Sequence, residues 1–74
     1  MQLERLLSNI KYLLVKRDMT KEDLCRQMGI PPKESVIYHW EVGNAQPQTY
    51  HLAILSYLFD ISIDDLCKKK LADK

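Results

Sequence analysis

The sequence predicts an all-α fold, a compact bundle of five short helices in a single domain that comprises residues 1–74. Three observations predict it. Leu and Ile recur at helical spacing along the chain, only two glycines and three prolines interrupt it, and 46% of its residues are apolar. These are properties of a small helical core. No segment has the roughly 20 apolar residues in succession that a membrane-spanning helix needs.

The first helix is predicted from about Gln2 to Arg17. Its apolar residues follow the i, i+3, i+4, i+7 pattern of an amphipathic helix and are Leu3, Leu6, Leu7, Ile10, Leu13 and Leu14. The same periodicity assigns the polar residues between them, including Ser8, Asn9 and Lys11, to the face in contact with water.

The second helix is predicted at about residues 21–28. Thr20 and Asp23 have the spacing of a capping box, in which each side chain accepts a hydrogen bond from the other residue's backbone. Leu24, Cys25 and Met28 supply an apolar face. Gly29 can adopt the left-handed conformation that ends a helix.

The third helix is predicted at about residues 33–41, with Ile37 and Trp40 one turn apart and directed into the core. The second and third helices are therefore short and joined by a tight turn that contains glycine. Such a pair has the shape that fits the major groove of DNA.

Two further helices complete the bundle. After a polar loop at residues 43–47, a fourth helix runs from about Gln48 to Phe59. Its predicted core residues are Leu52, Leu55, Ser56 and Phe59. Ser62 and Asp65 repeat the capping pattern and begin a fifth helix. Residues 68–74, which are rich in lysine, are expected to form a frayed tail.

Composition and spacing disfavour several classes of function. Cys25 and Cys67 are expected to be small buried hydrophobic residues, and His39 and His51 complete no ligand spacing with them, so we expect no metal or other cofactor. No nucleophile–base pair, paired carboxylates or phosphate-binding loop indicates an enzyme. The first residues lack the apolar run of a signal peptide, which indicates a cytoplasmic protein.

The formal net charge of +1 is smaller than the excess typical of nucleic-acid-binding domains. If DNA is the partner, positive charge must be concentrated on one face of the domain. Its electrostatic contribution to binding is then expected to be modest.

The order of residues from about 7 to 67 resembles the phage repressor and Cro type of helix-turn-helix domain (XRE family). The resemblance implies a lambda-repressor-like fold, DNA binding by the third, recognition helix, and dimers on palindromic operators. The residues that carry it are Ile10, Leu13, Thr20, Leu24, Cys25, Met28, Gly29, Ile37, Trp40, Glu41, Gly43, Pro47, Leu52, Leu55, Phe59, Ile61, Ser62, Ile63 and Leu66.

Three features differ from the family pattern. The turn after Gly29 is about two residues longer, so that Ile30-Pro31-Pro32 contains an insertion, or else Pro31-Pro32 begins the recognition helix early. Leu14 occupies the position at which many members carry an arginine that pairs with the equivalent of Glu41, so Glu41 must find another partner. The recognition helix also carries Glu34 and little positive charge.

The resemblance and the helical periodicity together indicate the DNA-contacting residues. The candidates for reading bases are Glu34, Ser35, Tyr38 and His39. The candidates for contacting the DNA backbone are Thr20, Lys21, Lys33, Asn44, Gln46 and Gln48.

The sequence therefore predicts a sequence-specific transcriptional regulator that occupies an operator in double-stranded DNA, associated with the nucleoid and without a small-molecule ligand. A homodimer reading two half-sites is expected, with Tyr57, Leu58, Phe59 and Leu71 as surplus apolar surface. The alternative is a protein-interaction module, such as an antitoxin or adaptor, with the same fold and weak DNA affinity. The near-neutral charge, Glu34 and the absent arginine favour that alternative.

Overall fold

The computed structural model describes residues 3–31 and 35–71. Within these ranges it contains five helices and no strand: α1 Leu3–Lys16, α2 Lys21–Gln27, α3 Val36–Val42, α4 Thr49–Phe59 and α5 Ile63–Lys68. The predicted all-α fold is confirmed. The largest change in a boundary is at α3, which begins three residues later and ends one residue later than predicted.

Of the apolar residues that the periodicity selected on α1, four are nearly inaccessible to solvent, Leu6, Ile10, Leu13 and Leu14, whereas Leu3 and Leu7 are partly buried. Asn9 is the exception on this helix. It was assigned to the wet face, and that assignment is wrong, because its side chain is completely buried.

Asn9 can be buried because its side-chain amide is hydrogen-bonded to α5 and to the segment that follows α5. Its Nδ2 donates to the carbonyl oxygens of Leu66 and Lys69, both at 2.7 Å. Its Oδ1 accepts the backbone N–H of Leu71 at 3.2 Å. Hydrogen bonds of this kind remove the penalty of burying a polar group.

These bonds also hold the last part of the described chain against the bundle. A frayed tail was expected from Lys68 onward, but Lys68 belongs to α5, and Lys69 and Leu71 are bonded to Asn9. Residues 72–74 of the predicted tail lie outside the described residues.

The core of α4 includes a residue that the sequence analysis did not select. His51, Leu55 and Phe59 are buried, whereas Leu52 and Ser56 are only partly so. The Nδ1 atom of His51 accepts the backbone N–H of Gln48 at 3.1 Å, which satisfies a donor at the start of the helix. The imidazole ring packs edge-to-face on Trp40, with 5.3 Å between ring centroids.

Cys25 and Cys67 are both free thiols in the core, as predicted. In the part of the chain that the structure describes, no helix is long and apolar enough to cross a membrane.

Candidate functional site

Residues 28–35 connect α2 to α3, and the structure describes 28–31 and 35 of them. After α2 ends, Gly29 adopts a positive φ of 77°, and the N–H of Ile30 donates to the carbonyl of Cys25 at 2.8 Å. This is the hydrogen bonding of a glycine-terminated helix, in which a left-handed residue reverses the chain. The chain then continues through Pro31 in a non-helical conformation.

The third helix begins at Val36 because Ser35 caps it. The Oγ atom of Ser35 accepts the backbone N–H of Tyr38 at 3.2 Å. The recognition helix therefore does not begin at Pro31, which the structure describes as non-helical. Pro32 lies outside the described residues. The candidate residues Lys33 and Glu34 lie outside the described residues.

Helix α3 separates a buried face from an exposed one as the sequence predicts. Ile37 and Trp40 are 2% and 1% exposed, whereas Tyr38 is 56% exposed, Val42 is 49% exposed and His39 is also exposed. The rings of Tyr38 and His39 meet edge-to-face at 5.6 Å. We call the exposed side chains of Tyr38, His39 and Val42 the α3 surface.

Ser35 differs from the other candidates for reading bases. It is only partly exposed, its oxygen accepts the capping hydrogen bond, and it lies 3.8 Å from the Sγ of Cys25. Its hydroxyl retains one hydrogen to donate, so it can contribute a donor to a ligand.

The start of α2 is closed by the predicted capping box. Thr20 Oγ1 accepts the N–H of Asp23 at 3.1 Å, and the Asp23 carboxylate accepts the N–H of Thr20 at 3.0 Å. These hydrogen bonds with Thr20, with a further contribution from the charge of Arg26, hold the pKa of Asp23 below its ordinary value. The backbone N–H of Thr20, one of the candidates for contacting the DNA backbone, is therefore already bonded to the Asp23 carboxylate.

Glu41 pairs with Lys21, which takes the place of the arginine that the sequence lacks. The Nζ of Lys21 lies 2.7 Å from Oε1 and 2.9 Å from Oε2 of Glu41. Leu14, at the position where the resemblance implies an arginine in many members, is buried in the core. The ion pair thus joins the start of α2 to the last turn of α3 without a contribution from α1.

The cations of α2 and α3 in the described residues are Lys21 and Arg26, and each is paired with a carboxylate. Arg26 Nη1 lies 3.2 Å from Asp23 Oδ1, one helical turn away. Both pairs are substantially exposed, so each carries only modest Coulomb energy. Either cation can exchange its carboxylate for a phosphate at small cost.

Three of the predicted site residues line one shallow depression of about 210 Å³. They are Lys21, Ser35 and Tyr38, and Glu22 and Glu41 lie beside them. The structure therefore brings together predicted residues from both helices. The sequence analysis did not identify Glu22 as part of this surface, although its position next to Lys21 in the first turn of α2 was a usable signal.

The polar loop before α4 adjoins the end of α3. The backbone N–H groups of Asn44 and Ala45 both donate to the carbonyl of His39, at 2.9 and 3.3 Å. Gly43 makes this reversal possible with a φ of 82°. Asn44, Gln46 and Gln48 are exposed, and the loop bonds place Asn44 next to the α3 surface.

The family model described as a Cro/C1-type HTH DNA-binding domain matches residues 9–70 of this chain, from α1 to the segment after α5. No curated protein and no solved structure matches the chain.

Proposed function

Because this chain belongs to the Cro/C1-type helix-turn-helix DNA-binding family, we propose that it is a transcriptional regulator that binds a specific operator. Its family is a non-enzymatic one, and DNA binding is the property that its members share. Occupancy of the operator would itself be the regulatory event, at the nucleoid in the cytoplasm.

The observation that supports this proposal best is the α3 surface. Two polar aromatic side chains, Tyr38 and His39, project from a helix whose opposite side is anchored by the buried Trp40 and Ile37. A short helix held in this way can enter the major groove and present its side chains to base edges. Imidazole can donate or accept a hydrogen bond, tyrosine can reach a phosphate, and Val42 can pack on a thymine methyl.

The flanking polar residues would hold this helix in register. Thr20, Lys21, Asn44, Gln46 and Gln48 are exposed around it, and we propose them as backbone contacts together with Lys33. Glu34 and Ser35 remain proposed base contacts. Because Lys21 must leave Glu41 to reach a phosphate, we expect the affinity for DNA to depend only modestly on salt concentration.

We further propose that the regulator binds as a homodimer, with two α3 helices reading half-sites about 34–36 Å apart. Of the apolar residues predicted at the interface, Tyr57 is 85% exposed and Leu58 and Leu71 are partly exposed. Phe59 was also included, but it is 3% exposed and belongs to the core.

The proposal is tested by a duplex titration with His39→Ala at two salt concentrations. We expect binding to the upstream DNA of its own gene to weaken by about 1–3 kcal/mol, while random DNA and the melting temperature change little. Ser8→Ala, an exposed change on α1, is the matched control. Equal affinity of wild type and His39→Ala for the cognate duplex would contradict the assignment of His39.

A protein-interaction module is the second candidate, because Lys21 and Arg26 are ion-paired and Glu22 and Glu41 lie on the candidate surface. The same titration distinguishes the two functions. The absence of any sequence-specific shift at micromolar protein would favour the interaction module.

A further inference from the structure

A groove of about 620 Å³ lies at the C-terminal ends of α1 and α4, beside the segment that follows α5. Four cations surround it: Lys16, Arg17, Lys69 and Lys70. Its floor is apolar and includes the partly exposed side chains of Ile61 and Leu71. None of the predicted DNA-contacting residues that the structure describes lines this groove.

Two of the cations are held in place by aromatic rings. The guanidinium of Arg17 lies over Phe59, 5.1 Å from the ring centroid, and its Nη1 and Nη2 donate to the carbonyls of Leu58 and Phe59 at 3.1 and 3.2 Å. Lys16 Nζ lies 5.5 Å from the Tyr12 ring centroid and 3.3 Å from the Tyr12 hydroxyl. Both retain further N–H groups that can donate to a ligand.

The backbone that carries the other two cations is also fixed. The carbonyl of Lys69 and the N–H of Leu71 are both bonded to the buried Asn9. Lys70 lies between these two anchored residues, so its backbone is already ordered in the free protein. Binding of a ligand therefore loses little conformational entropy at this residue.

The charge of the groove is strongly one-sided. Among residues 3–31 and 35–71, no carboxylate lines it, and Asp18 and Asp60, which adjoin Arg17 and Phe59 in sequence, lie outside its lining. Four of the eleven basic residues surround the groove in a chain of net charge +1, so the remainder of the chain is net negative. The groove therefore attracts anionic groups that the rest of the molecule repels.

Several partners fit this chemistry poorly. Bases cannot stack on Phe59, which is 3% exposed and lies beneath Arg17. The other aromatic ring of the lining, Tyr12, already has Lys16 over it, so the groove is a poor aromatic platform for single-stranded nucleic acid. A phosphate group could pair with the cations, but it would make no contact with the apolar side chains of Ile61 and Leu71. A second copy docked symmetrically on the groove would bring the four cations of each copy together, so the proposed dimer would use Tyr57 and Leu58 and not Leu71.

We propose that this groove binds an acidic amphipathic segment of another protein. Carboxylates of the segment would pair with the four cations, and its apolar side chains would pack on Ile61 and Leu71. The groove is separated from Gln48, a proposed DNA contact, by the length of α4. This helix has 11 residues and is about 16 Å long, with Gln48 at its start and the groove at its end. The proposal does not rest on DNA binding by the α3 surface.

The first test uses a synthetic helical peptide with glutamates on one face and leucines on the other, titrated into the ¹⁵N-labelled full chain. We expect saturable amide shifts at residues 12–17 and 58–71 at up to about 1 mM peptide, with α3 unchanged. A peptide of the same composition, scrambled so that its leucines share no face, should bind several-fold more weakly. No saturable shift, equal binding of the two peptides, or shifts centred on α3 would overturn the proposal.

The second test compares two double variants with equal changes in charge. Lys16→Gln with Lys70→Gln should weaken peptide binding by about five- to tenfold, as expected for the loss of two partly exposed charge pairs. Lys11→Gln with Lys68→Gln changes lysines that do not line the groove and should have less than a twofold effect. Equal losses in the two variants, or groove shifts of equal size with duplex or single-stranded DNA, would overturn a protein-binding role.

Discussion

Neighbouring residues on α3 have opposite roles because successive side chains on a helix are about 100° apart. His39 is exposed and available to a ligand, whereas Trp40 is 1% exposed and anchors the helix. At the end of the same helix, Glu41 is the residue that most directly limits the positive charge of the candidate surface. It holds both oxygens near Lys21 Nζ.

Glu41→Gln should therefore release Lys21 for a phosphate. We expect tighter binding to both cognate and random DNA by severalfold, with a slope of log K against log salt that is steeper by up to about 0.9 for one added contact. Thermal stability should change by no more than about 1 kcal/mol, because the pair is exposed. Titrations at several salt concentrations measure both quantities.

The control for Glu41→Gln is Glu4→Gln, which makes the same charge change at an exposed position in the first turn of α1. An equal increase in affinity for the two variants would show that net charge, and not the release of Lys21, is responsible.

At the scale of elements, the short helices depend on specific polar contacts at their ends. Thr20 and Asp23 cap α2, Ser35 caps α3, and Ser62 caps α5 through the N–H of Asp65 at 3.1 Å. Two buried side chains also bond to backbone groups. Asn9 bonds to the end of α5 and the segment after it, and His51 bonds to the N–H of Gln48 at the start of α4.

Asn9→Ala should be strongly destabilising. It removes three hydrogen bonds and leaves the carbonyl of Leu66 without its side-chain partner in the interior. We expect unfolding free energy to fall by about 2–4 kcal/mol, measured by urea denaturation. Hydrogen exchange at residues 69–71 should also accelerate. A variant that unfolds at the wild-type urea concentration would show that Asn9 does not hold α5 to α1.

His51 makes the stability of α4 dependent on pH. Burial lowers the pKa of His51 from its ordinary value of 6.5, so the folded state favours neutral imidazole. The unfolded chain therefore binds more protons as the pH falls below about 6.5. Stability is at its full value above that pH and is lost as the pH falls toward the pKa of the folded state. Protonation also removes the Nδ1 acceptor for Gln48.

Urea denaturation at pH 7.5, 6.5 and 5.5 measures this effect, and His51→Asn provides the comparison because it has no titrating imidazole. The decline between pH 6.5 and 5.5 should be smaller in the variant. Asp23 does not interfere with this measurement. Because its pKa is lowered from the ordinary value of 3.8, the stability that it contributes is lost only as the pH falls below about 3.8. Equal declines in both proteins would exclude His51 as the source.

At the scale of the whole molecule, the small net charge conceals an uneven distribution. The cations of α2 and of the described part of α3 are paired with carboxylates, whereas four cations surround the groove at the far end of α4. Under the two proposals, one end of the domain would read DNA with little electrostatic help, while the other would attract an acidic partner. A second surface of this kind would allow a partner protein to control the regulator.

The proposed dimer is tested with Tyr57→Glu. Because Tyr57 is 85% exposed, the fold should be unaffected, while affinity for a duplex with two half-sites should fall to that for a single half-site. Val15→Glu, at a residue that is 76% exposed on α1, is the control. If Tyr57→Glu retains its full preference for the double site, the dimer does not use this residue.

The sequence by itself determined the five helices, most of the core and the face of α3 that is exposed. Helical periodicity, caps and glycine stops depend on residues within about four positions of one another, so Thr20 with Asp23 and Ile37 with Trp40 could be interpreted locally. The start of α3 was predicted too early, because Ser35 was interpreted as a ligand-binding residue when its oxygen caps the helix.

Only the tertiary structure decided which distant residues meet. The partner of Glu41 is 20 residues away, and the partners of Asn9 are 57 to 62 residues away. The groove likewise joins residues 12–17 to residues 59–71. Such contacts follow from how helices cross and how closely they pack, which the spacing of residues within one helix does not specify.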